Sequence, residues 1–294
     1  MQRISTTLIA AVALASLAVP GSCDTKIGVN AAIRNSVQEK FTGEAALRPA
    51  VLRGPVHLGD AIVSGEQSAL QMLLLDQSVF TVGANARVTV DRFVYDPDRR
   101  ASDVAASVAT GAFRFISGRF LAGAGRNAIT TPVAEIGVRG TVLEGAVGGD
   151  ALLALGKQGG LPPVSGDPSG ITLVVLRGPG PNTQGFDKPG AIDVTAGGAT
   201  VTVDRPGEAV VVFGPGQKPF GPFDLSDAAF DELNLLLRTT PGGGPDESDL
   251  DNASAGKDSG DDLDVGPIPG DPYNQKTGTI DFPLPERQIG NTGG

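Results

Sequence analysis

The chain has 294 residues, 42 of them Gly and 22 Pro, with no Trp, one His, one Cys and a formal net charge of −10. A single cysteine leaves no intrachain disulfide, and a single histidine forces any Ser-His-Asp or Cys-His arrangement through His57. The acidic balance, with no basic stripe, argues against nucleic-acid binding.

At the start, Arg3 precedes an apolar run from Leu8 to Val19 and then Pro20-Gly-Ser-Cys23. A positive beginning, a short apolar centre and small residues at its end describe a secretory signal peptide over residues 1–22. The run is shorter than the roughly 20 apolar residues a spanning helix needs, and no later stretch qualifies, so no transmembrane span is expected. The expected location is the periplasm or the exterior of a bacterial envelope. Cys23 invites a second reading, a lipid anchor at that residue and an outer-membrane lipoprotein. Pro20 stands against it, where a lipobox carries a small or β-branched residue.

Residues 23–44 are polar and weakly patterned and read as an N-terminal arm, with order beginning near Ala45. Short apolar runs follow, separated by Gly and Pro: Val51 to Val56, Ala61 to Val63, Ala69 to Leu75, Val79 to Val82 and Arg87 to Val94. In the last of these, Val88, Val90 and Arg92 are expected on one face and Thr89, Asp91 and Phe93 on the other. Ile129 to Thr141 reads as two extended runs: Pro132 fixes its own φ and biases Thr131 towards extended geometry. Gly137 and Gly140 are read as close-approach or positive-φ positions, and Glu135 with Arg139 as a cross-face pair. Residues 45–150 form one β domain in this reading, and 151–225 extend the same stack, with strands at 151–155, 171–176, 191–194, 199–204 and 208–213.

One helix is expected over 226–239. Ser226 is its N-cap, Asp227 meets the dipole, and Phe230, Leu233, Leu236 and Leu237 share a face. Its expected role is to cover an open end or edge of the sheet. Residues 240–294 are rich in Gly, Pro, Asp and Ser and read as a disordered acidic tail. From Pro241 onward, 11 Asp and Glu face three Lys and Arg, which leaves only −2 of the total −10 for the rest.

Three motifs stand in order along 41–150: Asp76-Gln-Ser-Val-Phe-Thr-Val-Gly-Ala-Asn-Ala86 with Val88-Thr-Val-Asp-Arg-Phe-Val-Tyr-Asp-Pro97, then Gly111-Ala-Phe-Arg-Phe-Ile-Ser-Gly118, then Thr131-Pro-Val-Ala-Glu-Ile-Gly-Val-Arg-Gly-Thr141. Together they resemble the FecR-type domain family, named after the periplasmic regulator of ferric citrate transport. The resemblance implies an all-β fold, a twisted β-solenoid-like or β-roll arrangement of short strands. It also marks a set of hallmark positions, structural or interacting: Asp76, Ser78, Gly83, Asn85, Asp91, Arg92, Phe93, Tyr95, Asp96, Pro97, Gly111, Phe113, Arg114, Gly118, Thr131, Pro132, Gly137, Arg139, Gly140 and Thr141. The family's regulators carry a sigma-binding segment and a transmembrane helix before the β domain; this chain has a signal peptide there.

No constellation in the sequence carries catalysis. His57 lies between Val56 and Leu58 on an expected strand, where a structural role is the simpler one. Asp258-Ser-Gly-Asp-Asp-Leu-Asp264 lacks the glycine and terminal acid of a calcium loop, and Gly123-Ala-Gly125 does not join a strand to a phosphate-binding helix. No catalytic residue, metal or cofactor is therefore expected. The ten Arg between 41 and 156 are read as paired with neighbouring acids, against an Arg cluster for an anionic partner. The reading is a non-enzymatic binding or scaffold module of the cell envelope, contacting another protein or an envelope polymer. The alternative is a periplasmic signalling protein linked to transport sensing through a separate membrane partner. A polysaccharide-active enzyme ranks last, because its groove needs acidic and aromatic residues.

Overall fold

The computed structural model describes residues 25–98, 101–118, 127–164, 167–179 and 190–239, all of which fall in one unit of the chain, 1–242. The signal peptide, Cys23, the Gly123–Gly125 stretch and the acidic tail lie outside the described residues.

Short β-branched runs closed by turn residues give 17 strands among the described residues. The first eight are β1 (Lys26–Arg34), β2 (Val37–Lys40), β3 (Arg48–Pro49), β4 (Pro55–His57), β5 (Ala61–Ser64), β6 (Ala69–Leu74), β7 (Val79–Val82) and β8 (Arg87–Asp96). At the centre is β9 (Ala101–Ile116), followed by β10 (Asn127–Thr130), β11 (Glu135–Arg139) and β12 (Thr141–Val147). Helix α1 (Gly149–Leu155) precedes β13 (Thr172–Pro179), β14 (Ala191–Ala196), β15 (Ala199–Val203), β16 (Glu208–Val212) and β17 (Phe220–Asp224), and α2 (Asp227–Leu236) follows.

Pairing sorts the strands into two sheets. The first runs β4-β1-β6-β7-β9-β12-β13-β16-β17. The second runs β3-β2-β5-β8-β9-β10-β11-β14-β15. Strand β9 is the middle member of both, with four described strands on either side of it in each sheet. Its residues 101–110 pair with β8, and 111–116 pair with β7 and β12. The passage happens at Gly111, whose φ is +85° and whose added Cβ would stand 2.2 Å from the Cα of Ala86. Only glycine meets both conditions.

The inner faces meet in one core. Met72, Phe80, Phe115, Leu143 and Leu176 form a cross-strand row on the first sheet. Val90, Ala106, Ile129, Ile136 and Val194 form the facing row on the second. A second core lies on the outer side of the first sheet, where Ala112, Ala146, Leu173 and Val211 are covered by Ala151, Ala154 and Leu155 of α1 and by Ala229, Leu233 and Leu237 in and just beyond α2. Helices, first sheet and second sheet thus make three layers.

The structure is mostly β, as expected, with the expected helix α2, one further helix, α1, and unclosed sheets. The pairings differ from those of a solenoid: β9–β10 is the one parallel pair among the described strands, whereas stacked coils would pair in parallel throughout. The chain does alternate between the two sheets as it advances, but neighbouring strands pair antiparallel, some as hairpins and others across intervening strands. A strand is already present at Lys26, well before Ala45: Ile27 is wholly buried and β1 is hydrogen-bonded on both sides, by β4 and β6. Residues 151–155 are helical, not extended: Ala151, Ala154 and Leu155 fall at i, i+3 and i+4 spacing and are good helix formers. Helix α2 keeps its Ser226 cap, which accepts a hydrogen bond from the Ala229 amide at 3.3 Å. It covers a sheet face rather than an edge. A bulge between Val90 and Arg92 shifts the alternation of β8, so Phe93 packs against the core and Arg92 faces solvent.

Candidate functional site

The hallmark residues divide into a buried set that ties the fold and an exposed set on the second sheet. The tie begins at Asp76 and Ser78, in the turn between β6 and β7, where Gln77 takes φ +66°. Asp76 is 1 % exposed and its carboxylate accepts from the Ser78 amide at 2.9 Å, from the Ser78 hydroxyl at 2.7 Å and from the Ser102 hydroxyl. The Ser78 hydroxyl oxygen accepts in turn from the Gly118 amide at 2.9 Å. Ser102 lies near the start of β9 and Gly118 follows its end, so both arms of the folded strand are tied to the β6–β7 turn, Ser102 on the Asp76 carboxylate and Gly118 through the Ser78 hydroxyl. Gly118 has no room for a side chain there, since a Cβ would lie 2.3 Å from the Asp76 carbonyl oxygen.

A second tie lies at the helices. Gly83 touches the C-terminal turn of α2, where its Cβ would stand 2.7 Å from the Leu236 carbonyl oxygen. Asn85, at φ +51°, donates from Nδ2 to Asp150 at 3.1 Å. Asp150 is 5 % exposed, and its second oxygen has no hydrogen-bond partner. Burial holds its carboxyl above the ordinary range; the Asn85 bond opposes this, the Glu232 charge adds to it, and a backbone bond from Ala112 opposes it.

A third set crosses the first sheet. Glu144 on β12 is buried between Arg114 on β9, at 2.7 Å, and Arg177 on β13, at 3.2 Å. The Arg177 guanidinium also lies 4.5 Å from the ring centre of Phe230 on α2. Phe113 is stacked with Phe80 at 6.4 Å in the core. Thr131 closes the turn through Pro132: its hydroxyl accepts from the Ala134 amide at 3.1 Å and from Thr172 at 2.9 Å. The Thr141 amide donates to the Ser117 hydroxyl at 3.2 Å, and its own hydroxyl donates to the Gly178 carbonyl.

The exposed set belongs to the outer face of the second sheet and the β8–β9 hairpin. Asp91 accepts from Ser107 at 2.6 Å, and Arg92 pairs with Asp103 at 2.9 Å. Tyr95 lies 6.5 Å from Phe93, and Asp96 accepts from the Asp98 amide across Pro97 at 3.1 Å. Arg139 pairs with Asp193 at 3.0 Å, not with Glu135, because β14 rather than the same strand supplies the nearest acid. Asp193 also accepts from Thr202 at 2.6 Å. Registers align Thr89, Ser107, Thr130, Glu135, Thr195 and Thr200 in one polar row across six strands. Gly140 has the expected positive φ, +56°, but Gly137 does not; its Cβ would meet only ordinary contacts of 3.8 Å or more.

One buried polar group was invisible in the sequence. Glu39 on β2 accepts from Asn30 of β1 at 2.7 Å across the sandwich. Burial raises its carboxyl above the usual range, the Asn30 bond lowers it, Asp60 raises it and His57 lowers it. His57 Nδ1 lies 3.3 Å from Asp60, and the Asp60 oxygens accept backbone amides of Thr42 at 3.1 Å and His57 at 2.8 Å. Those bonds fix a turn and give His57 a structural setting. Among the described residues no group of three or more His, Cys, Asp or Glu could hold a metal ion, and no helix is long and apolar enough to cross a membrane.

The profile of the FecR protein family matches residues 60–155, a third of the chain, which therefore carries a FecR-type domain. No curated protein matches the chain. Two solved structures of a candidate anti-sigma factor from Parabacteroides distasonis, at 1.65 and 2.50 Å, are similar at 14 % identity, with TM-scores of 0.36 and 0.37. Each match covers 56 % of this chain and spans 60 % of the length of that one.

Proposed function

We propose that this chain, with its FecR-type domain over residues 60–155, is a non-enzymatic binding or scaffold module of the bacterial envelope, exported by the apolar run at its N-terminus. The observation that carries the reading is the outer face of the second sheet. Its polar row from Thr89 to Thr200 crosses six strands, and Thr130, Glu135, Arg139, Thr195, Thr200 and Thr202 are exposed on it. A flat array of hydroxyls and mixed charge on rigid strands suits hydrogen bonding to another protein or to an envelope polymer. The buried hallmark residues serve this face by fixing the strands under it.

The FecR match also supports a signalling variant, in which the same face reports a bound state to a separate membrane partner. Photo-crosslinkers placed at Thr130 and Thr195 in native cells, followed by mass spectrometry, test both. A discrete protein or polymer captured from these positions, and not from Leu153 on α1, is expected; a membrane regulator or transporter among the products selects signalling. Equal capture from all three positions would overturn the assignment of this face.

A further inference from the structure

The segment between β2 and β4 exposes three large apolar side chains within six residues: Leu47 at 42 %, Val51 at 64 % and Leu52 at 55 %. They do not belong to a frayed loop. Arg53 takes φ +62° and its amide donates to the Asn30 carbonyl at 2.8 Å. The Gly54 amide and Asn30 Nδ2 both donate to the Val51 carbonyl, at 2.9 and 3.1 Å, and the Ala50 amide donates to Val37 at 2.9 Å. Asn30 itself is wholly buried. The backbone of the turn is therefore fastened to the core while Val51 and Leu52 point away from it, a placement that local stability does not require.

The charge around the tip is the reverse of the chain's. Residues 25–60 hold Lys26, Arg34, Lys40, Arg48 and Arg53 against Glu39, Glu44 and Asp60, a net of +2 in a chain of −10. Glu39 is buried in the sandwich, and Glu44 pairs with Arg48 at 2.6 Å. Arg53 adjoins the apolar tip, with no ion-pair partner among the described residues, and Lys40 lines the neighbouring open groove with Phe41 and Thr42. An apolar tip inside a cationic collar fits the boundary of an anionic bilayer: aliphatic side chains enter the acyl region, while guanidinium and ammonium groups stay with headgroup phosphates.

We propose that the rigid turn bearing Val51 and Leu52 is a docking point for an anionic lipid surface, seated by Leu47, Val51 and Leu52 and held by Arg48, Arg53 and Lys40. Lys40 is in register with Ala61 and through it with Thr89, so this surface adjoins the β8 end of the polar row, and reporters at Leu52 and at Thr130 and Thr195 test the two separately.

The absence of Trp from the chain makes the experiment direct. Leu52→Trp in the full chain places a single reporter at the tip, and Leu153→Trp, at a site 53 % exposed on α1, places one elsewhere. Each is titrated with vesicles of phosphatidylglycerol and phosphatidylcholine in equal parts, and with phosphatidylcholine alone, after thermal melts show that both variants fold. A blue shift confined to Leu52→Trp and to the anionic vesicles is expected. Adding Arg48→Glu and Arg53→Glu should weaken it roughly tenfold or more, and salt should weaken it as well. No shift, an equal shift with the neutral vesicles, or an equal shift from Leu153→Trp would overturn the proposal. So would a tip that ignores vesicles but crosslinks to a protein.

Discussion

Replacing Asp76 by Ala removes the acceptor shared by the Ser78 amide, the Ser78 hydroxyl and the Ser102 hydroxyl, at a site 1 % exposed. A net hydrogen bond contributes about 0.5–1.5 kcal/mol, and a buried donor left without a partner costs about 1–3 kcal/mol. The Ser78 amide cannot turn to another partner, whereas the two hydroxyls can rotate, so the amide sets the floor and the sum comes to about 3 kcal/mol. For a domain of this size that is a fall of roughly 6–12 °C in Tm. Asp76→Asn keeps one acceptor oxygen and should cost about half as much, near 1–2 kcal/mol. Urea unfolding with an unchanged m-value is the assay, and a cycle with Ser102→Ala isolates the long-range bond. Coupling between Asp76 and Ser102 of about 1 kcal/mol is expected. A cost for Asp76→Ala below about 1 kcal/mol, or strict additivity with Ser102→Ala, would refute the idea that this carboxylate ties the first arm of β9 to the β6–β7 turn.

The glycines separate by position. Gly137→Val should change stability by no more than about 0.5 kcal/mol, whereas Gly111→Ala, with positive φ and a 2.2 Å clash, should cost about 3 kcal/mol or fail to fold; equal melting temperatures would contradict the corner assigned to Gly111. Because burial raises the Asp150 carboxyl, its contribution is most favourable below the ordinary carboxylate pKa and is lost as pH rises through the folded value. Asp150→Asn should therefore gain stability relative to wild type on going from acid to neutral pH, and parallel profiles of the two proteins would count against this. Glu144→Ala strands Arg114 and Arg177, both about a quarter exposed, and should cost about 2 kcal/mol, less than a fully buried pair. Arg139→Ala breaks an exposed pair and should cost under about 1 kcal/mol by thermal melt; a reversed ranking would show that exposure does not govern these pairs.

Strand content was legible because Val, Ile, Leu and Thr run in short stretches between turn residues, and the Ser226 cap with its i, i+3, i+4 leucines announced α2. What composition hides is partnership. β1 looks polar, yet Ile27 and Asn30 are buried because β4 and β6 enclose the strand, a tertiary fact with no local signature. The phase of β8 fails at a one-residue bulge, which period-two reasoning carries straight past. Helix α1 is only seven residues, short enough for an Ala-Leu run to pass as a strand. The hallmark motif located Asp76 and Ser78, but nothing in it names Ser102, whose hydroxyl arrives from 26 residues away.

The central place of β9 bears on how the protein could be divided. Cutting between Thr110 and Gly111 leaves β4-β1-β6-β7 over β3-β2-β5-β8 in one piece and β12-β13-β16-β17 over β10-β11-β14-β15 in the other, with half of β9 in each. Each fragment would keep portions of both sheets and expose raw edges that match only the other fragment. The corner is thus a natural seam for split-protein complementation, with reassembly reporting that the two arms of one strand have found each other again.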